Sequence, residues 1–223
     1  MASPRFSPKA LAFLRALKRN NDREWFRARR EQYDVLLRAP MLEVIAQLER
    51  AFRDFAPDLV ASPAVSLYRI YRDTRFSHDK RPLKTHVAAV FPRRGLGRHQ
   101  GAGLYFEVAP DWVWIGGGLY APDATQLYAV REHIASHHRR LTRIVGDAGF
   151  RRHFGALGGD TLQRVPRGFP ADHPAAAVLK HRQFLVARER PAALATSPRF
   201  YGEIVSTFKA AVPLVEFRNE PLV

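Results

Sequence analysis

Apolar residues recur every three to four positions along the first 57 residues, which is the period of amphipathic α-helices. A Ser-Pro pair at positions 7–8 is a typical helix start and begins the first of them. A second helix runs to about Arg38, and Pro40 starts a third that ends at residues 56–57. The pattern therefore predicts an N-terminal layer of three helices.

Beyond residue 63 the pattern changes to alternation with a period of two, which is typical of half-buried β-strands. The predicted strands are residues 65–71, 86–91, 104–109, 112–116 and, less regularly, 183–187. Only Pro110 and Asp111 separate the third and fourth of these, so we expect a hairpin that turns at the Ala-Pro-Asp sequence of residues 109–111. We predict an α+β fold, with the helical layer of residues 1–57 packed on a mainly antiparallel sheet of four to five strands centred on residues 64–118.

The remainder of the chain, residues 122–223, returns to helical periodicity. Helices are predicted from Pro122-Asp123 past Leu141, over residues 147–154 and over residues 200–211. Prolines and a glycine punctuate residues 160–174, which we expect to form an ordered loop. At 223 residues, the whole chain fits one domain.

Composition narrows the possible chemistry. The chain has no cysteine, which excludes disulfides, thiolate nucleophiles and cysteine-based zinc sites. Its formal net charge of +15 makes a nucleic-acid partner an alternative to consider, but the 30 arginines and 6 lysines are dispersed along the chain. No apolar run has the roughly 18 residues that a membrane span needs, and the N-terminus lacks a signal-peptide pattern. We therefore expect a cytoplasmic protein without a membrane partner.

One segment, residues 67–91, concentrates charge between two predicted strands, and we refer to it as the basic segment. Its candidate ligand-binding cations are Arg69, Arg72, Arg75, Lys80 and Lys84. Guanidinium and ammonium groups gathered in this way suit a phosphate or a carboxylate. Asp73 and Asp79 would orient these cations through ion pairs. The alternative is a structural network of ion pairs that holds the loop to the sheet.

Arg69 adds a separate argument, because strand alternation would place it on the same face as Val65 and Leu67. An arginine on an otherwise apolar face must be paired or must face a cleft.

Three consecutive glycines end the fourth predicted strand. Gly117 and Gly118 would allow a ligand to approach the backbone, close to the helix that begins near Pro122-Asp123. The alternative is that the glycines serve close packing or a bulge in the sheet.

Candidate proton carriers are few. His86 lies within the basic segment, and His173 follows Asp172 and precedes a proline. Asp73 is a third candidate for catalysis, although Asp172 also suits a capping role and Asp73 an orienting role. We predict no metal site and no cofactor, because the histidine spacing matches no common ligand pattern and the nearby cations would repel a metal ion.

Four motifs, in order along the chain, resemble the bacterial family catalogued as domain of unknown function 2461. Residues 20–26 read NNDREWF, residues 72–86 read RDTRFSHDKRPLKTH, residues 116–118 are three glycines followed by Pro122 with Arg131 downstream, and residues 166–174 read PRGFPADHP. Leu83 departs from the pattern, which usually has an aromatic residue there. The resemblance implies one α+β domain and no known reaction.

Three functional hypotheses follow from these observations. The first is an Arg/Lys-rich pocket for an anionic small molecule that carries a phosphate or a carboxylate. The second is a nucleic-acid-associated protein, and the third is a structural or protein-interaction module without a ligand. The sequence does not indicate whether the protein is an enzyme, nor its oligomeric state.

Overall fold

The computed structural model describes residues 3–75 and 78–223. Phe76 and Ser77, which belong to the second of the four motifs, lie outside the described residues. The chain begins with helix α1 (Pro8–Arg19), followed by two short helices, α2 (Arg23–Arg27) and α3 (Arg30–Tyr33). Asp22 caps α2, because its carboxylate accepts hydrogen bonds from the backbone N–H groups of Glu24 and Trp25.

The predicted break before Pro40 is wrong. A π-helical turn, Asp34–Arg38, joins α3 directly to the long helix α4 (Ala39–Phe55). Proline has no N–H group, and its ring crowds the preceding helical turn. The wider π-helical turn accommodates both effects, since the N–H of Ala39 bonds to the carbonyl oxygen of Asp34, five residues earlier.

The sheet has four antiparallel strands in sequential order: β1 (Val87–Phe91), β2 (Gly103–Val108), β3 (Trp112–Leu119) and β4 (Phe184–Pro191). The α+β class and the antiparallel sheet are confirmed. The predicted hairpin between β2 and β3 is present, and the N–H of Ala109 donates to the carbonyl oxygen of Trp112 across its turn. The fifth predicted strand is confirmed as β4, which pairs with β3 along its whole length.

The first predicted strand, residues 65–71, is wrong. Residues Pro63–Ser66 form a short helix, α5, and Ser62 caps it by accepting a hydrogen bond from the N–H of Val65. Beyond α5 the chain is extended, but it makes only isolated bridges, Leu67 to Ala89 and Tyr71 to Leu83. The side chain of Arg69 is exposed rather than set among apolar neighbours on a strand.

The second half of the chain is largely helical, as predicted. It contains α6 (Ala124–Ser136), α7 (His138–Gly146), α8 (Ala148–Phe154), α9 (Ala176–Leu179) and α10 (Phe200–Asn219). The helix predicted from residue 122 past residue 141 is divided at His137, and the last helix is longer than predicted because Pro213 does not end it. Short 3₁₀-helices occupy Ala192–Thr196 and Glu220–Leu222.

The core lies on one face of the sheet. Phe106 of β2 and Phe91 of β1 are fully buried there, and both rings contact Phe208 of α10. Phe52 of α4 joins the same aromatic group. The opposite face, which we call the outer face, is less completely covered. In the described part of the chain, no helix is long and apolar enough to cross a membrane.

Candidate functional site

The two aspartates of the basic segment pair with arginines of the same segment. A nitrogen of Arg75 lies 2.8 Å from a carboxylate oxygen of Asp73, and one of Arg81 lies 2.7 Å from Asp79. Arg72 also reaches Asp79, at 3.2 Å. The hydrogen bonds from Arg75 lower the pKa of Asp73 to about 2, and those from Arg81 hold the pKa of Asp79 far below its usual range.

Residues 72–75 and 78–82 of the basic segment also bind one another. Lys80 donates to the carbonyl oxygen of Thr74 at 3.0 Å, and the N–H of Arg72 donates to the carbonyl oxygen of Pro82. These contacts match the alternative of a local ion-pair network more closely than a set of cations converging on one ligand.

The end of the segment lies elsewhere, at a cleft of about 430 Å³ on the outer face of the sheet. Lys84 and His86 line it, together with Ala88 and Val90 of β1. Alternation along β2 directs Phe106 into the core and the side chains of Tyr105 and Glu107 toward the cleft. Residues of the second sequence motif and residues of β2 thus lie at the same surface. We call this surface the outer-face cleft.

Glu107, in the outer-face cleft, contacts the side chains of Tyr105, Trp112 and His86. Tyr105 donates its hydroxyl to Oε2 of Glu107 at 2.6 Å, and Trp112 donates its indole N–H to Oε1 at 2.9 Å. Nε2 of His86 lies 3.6 Å from the same Oε2. Burial, reinforced by the adjacent Glu107 carboxylate, raises the pKa of the Tyr105 hydroxyl far above its usual range. Tyr105 is therefore a neutral hydrogen-bond donor that fixes the position of Glu107.

His86 is held in its neutral form. Burial lowers its pKa, and the positive charges of Lys84 and Arg72 lower it further, against the opposing effect of Glu107. Because the ordinary histidine pKa is already near 6.5, an imidazole shifted in this direction is unprotonated at pH 7. A neutral imidazole beside a carboxylate can accept or relay a proton.

Lys84 and Arg98 supply the positive charge of the outer-face cleft. Nζ of Lys84 lies 4.6 Å from the centre of the Tyr68 ring, and the guanidinium carbon of Arg98 lies 5.0 Å from it. The guanidinium of Arg98 is anchored by a hydrogen bond to the carbonyl oxygen of Val65. Burial lowers the pKa of Lys84, with further lowering from neighbouring arginines. Within residues 3–75 and 78–223, no carboxylate lies within ion-pair distance of the Lys84 ammonium.

Backbone contacts fix the position of Lys84. Its N–H donates to the carbonyl oxygen of Ile70 at 2.8 Å, so the two arms of the basic segment run side by side. Leu83, the residue before Lys84, is bound on its other side by the side chain of Asn21, at the junction of α1 and α2. The side-chain carbonyl oxygen of Asn21 accepts from the N–H of Leu83 at 3.0 Å, and its NH₂ group donates to the carbonyl oxygen of Leu83 at 2.9 Å.

Gly117 and Gly118 both line the outer-face cleft, and the geometry of the sheet requires them. A Cβ atom on Gly118 would lie 2.0 Å from the carbonyl oxygen of Phe184, and its φ of 127° is unfavourable for other residues. A Cβ atom on Gly117 would lie 2.6 Å from the carbonyl oxygen of Gly103. Close approach of the neighbouring strands therefore explains these glycines, whether or not a ligand is bound.

The other candidates lie apart from the outer-face cleft. His173 accepts a hydrogen bond from the N–H of Ala175 through Nδ1, as in a local turn, and its ring contacts His138. Arg69 lines a separate groove next to the cleft. In the described ranges, no three histidine, aspartate or glutamate side chains form a group that could hold a metal ion.

Sequence reasoning missed several residues that the cleft brings together. The most important are Glu107, Tyr105 and Arg98. One available signal was the alternation in β2, where a tyrosine and a glutamate occupy the face opposite to its apolar residues. The sequence does not reveal which strand faces them, because that depends on the register that pairs Glu107 with Ala88.

Fold and site together define a class of protein: an α+β protein whose antiparallel sheet carries a cationic, aromatic cleft on its outer face. The family model described as "Conserved hypothetical protein (DUF2461)" matches residues 9–217, so the chain belongs to this family. Neither the curated proteins nor the solved structures contain a match to this chain.

Proposed function

We propose that this protein binds a small anionic ligand, one that carries a phosphate or a carboxylate, in the outer-face cleft. The observation that supports the proposal most directly is the Lys84 ammonium. It is half-buried and its pKa is lowered, yet no carboxylate of the described residues is close enough to pair with it. A charge in this position gains stability when an anion binds.

The other cleft residues fit the same role. Arg98 would provide a second cation at the mouth, held in place by its bond to the Val65 carbonyl oxygen. Glu107 would repel an anion, and the neutral donors Tyr105 and Trp112 fix the position of its carboxylate without cancelling its charge. An anionic group would therefore contact Lys84 and Arg98, and the uncharged part of the ligand would lie toward His86 and Glu107.

The experiment compares two lysines of the same segment by calorimetric titration with inorganic phosphate and with phenyl phosphate. Lys84→Met removes the cleft ammonium, whereas Lys80→Met removes an exposed ammonium that contacts only the Thr74 carbonyl oxygen among the described residues. We expect Lys84→Met to weaken binding by about tenfold or more, since a charge-assisted hydrogen bond contributes roughly 1.5–3 kcal/mol. Lys80→Met should change affinity less than about twofold, as an exposed charge does.

Equal effects of the two substitutions would show that only the general positive field attracts anions. Absence of measurable binding of either probe to the wild-type protein at millimolar concentration would also refute the proposal. Measuring binding at several salt concentrations distinguishes a small-ligand site from the nucleic-acid alternative, because binding to a phosphate backbone weakens steeply with ionic strength.

A further inference from the structure

A second groove adjoins the outer-face cleft and has the same chemical character. Its volume is about 250 Å³. Three arginines and three tyrosines line it, namely Arg30, Arg38, Arg69, Tyr33, Tyr68 and Tyr71. We call it the arginine groove.

The arginine groove carries an excess of positive charge. Arg30 is paired with Asp34 at 2.9 Å, with one nitrogen bonded to one carboxylate oxygen. For Arg38 and Arg69, no carboxylate in the described ranges 3–75 and 78–223 lies within ion-pair distance. Exposed arginines are often simply hydrated, so the excess positive charge indicates a binding site only because the groove lies next to the outer-face cleft.

That position is set by Tyr68, which lines both the outer-face cleft and the arginine groove. The Tyr68 N–H donates to the carbonyl oxygen of Ala88 in β1, so its backbone is fixed to the sheet. Lys84 and Arg98, which line the cleft, lie 4.6 and 5.0 Å from the centre of its ring, and the next residue in the chain, Arg69, lines the groove. One partly exposed aromatic residue therefore separates two groups of cations.

We propose, resting on the anion-binding function above, that the ligand of this protein spans both compartments. It carries a planar ring and two separated anionic groups, the composition of a nucleoside bisphosphate. One anionic group contacts Lys84 and Arg98 in the outer-face cleft, and the other contacts Arg69 in the arginine groove. Tyr68 lies between them.

The aromatic lining argues for the planar ring. Tyr68, Tyr71 and Tyr120 border the two compartments, and the last two leave 43% and 69% of their surface exposed. Exposed aromatic faces beside cations are the surface on which nucleobases stack in other binding proteins. Inorganic anions use none of this surface, so a ligand with a ring gains contacts that phosphate alone does not.

Three probes separate the contributions of ring and charges: inorganic phosphate, adenosine 5′-monophosphate and adenosine 3′,5′-bisphosphate, titrated at constant ionic strength. We expect affinity to rise in that order, with a gain of about tenfold from the second phosphate, the size of one charge-assisted hydrogen bond. Arg69→Gln should abolish that gain and leave the affinity for the monophosphate within about twofold. Lys84→Met should weaken all three probes.

Arg94→Gln serves as the control, because Arg94 is exposed and lines neither compartment. Circular dichroism of each variant establishes that it is folded before titration. If Arg69→Gln and Arg94→Gln weaken the bisphosphate equally, or if the bisphosphate binds no more tightly than the monophosphate, the two-compartment inference is wrong while the anion site in the cleft stands. If Lys84→Met changes the affinity of no probe, the proposed function itself is wrong.

Discussion

Replacing each of two buried arginines with methionine should change the free energy of unfolding in opposite directions. Arg218, near the end of α10, is fully buried, and none of its side-chain nitrogens has a hydrogen-bond partner among the described residues. Its guanidinium packs on the rings of Phe184, at 4.1 Å, and Phe217, at 5.5 Å. Arg131 of α6 is also buried, but it donates to the carbonyl oxygens of Leu179 and His181 at 2.9 and 3.0 Å.

The expected change in the free energy of unfolding for Arg218→Met follows from the burial of Arg218. Burial lowers the pKa of this arginine to about 9. A lowering of this size from the ordinary arginine value means that folding disfavours the charged form by roughly 5 kcal/mol. Contact with the aromatic rings offsets about 2 kcal/mol of that. We therefore expect Arg218→Met to increase the free energy of unfolding by about 1–3 kcal/mol, as replacing buried charges by apolar side chains has done in other proteins.

Arg131→Met should instead decrease the free energy of unfolding by about 2–4 kcal/mol, because it leaves two carbonyl oxygens without their charged donor. Urea unfolding at pH 7, followed by tryptophan fluorescence, measures both variants. At this pH Arg218 is protonated in the folded and unfolded states, so the whole penalty applies. Above about pH 9 the folded protein loses this proton first, and wild type should gain stability relative to Arg218→Met. A loss of stability in Arg218→Met comparable to that in Arg131→Met would refute the reasoning.

Four further predictions concern backbone support and charge. Asn219→Ala should lower the free energy of unfolding by about 2–4 kcal/mol in urea, since the buried amide of Asn219 bonds both the N–H and the carbonyl oxygen of Ala102. Gly118→Ala should prevent normal folding, because its Cβ would lie 2.0 Å from a backbone oxygen of β4. Gly202→Ala, in open space within α10, should raise the melting temperature slightly. Once phosphate is fully dianionic, its affinity should fall with rising pH as the Lys84 ammonium deprotonates, at a lower pH than for an ordinary lysine. Titration across the alkaline range measures this.

The sequence predicted those elements whose signals are local. Alternation and a short turn were sufficient for β2 and β3, and the α+β class followed. The strand predicted over residues 65–71 failed because Ser62 and Pro63 form the same helix start as the Ser-Pro pair at residues 7–8. Capping there outweighs the alternation of the residues that follow.

The same distinction applies to the site. Asp73 and Asp79 each bind the arginine two residues later, through both its side chain and its N–H. This pairing depends only on residues that are close in the sequence. Lys84 and His86 were found because they belong to the basic segment. Glu107 was not, because it reaches His86 only through the pairing of β1 with β2, and register between distant strands is not visible in a single sequence.

The side chain of Asn21 makes the N-terminal helices a structural part of the binding region. Its amide pairs with both backbone groups of Leu83, 62 residues away, as a neighbouring strand would. The first and second sequence motifs are thus two halves of one contact. A fragment that starts after α4 would retain all four strands and every cleft side chain named above, but Leu83 would lack this partner. Such a fragment should bind anions more weakly, because the backbone around Lys84 would keep its bond to Ile70 but lose the contact with Asn21 on its other side.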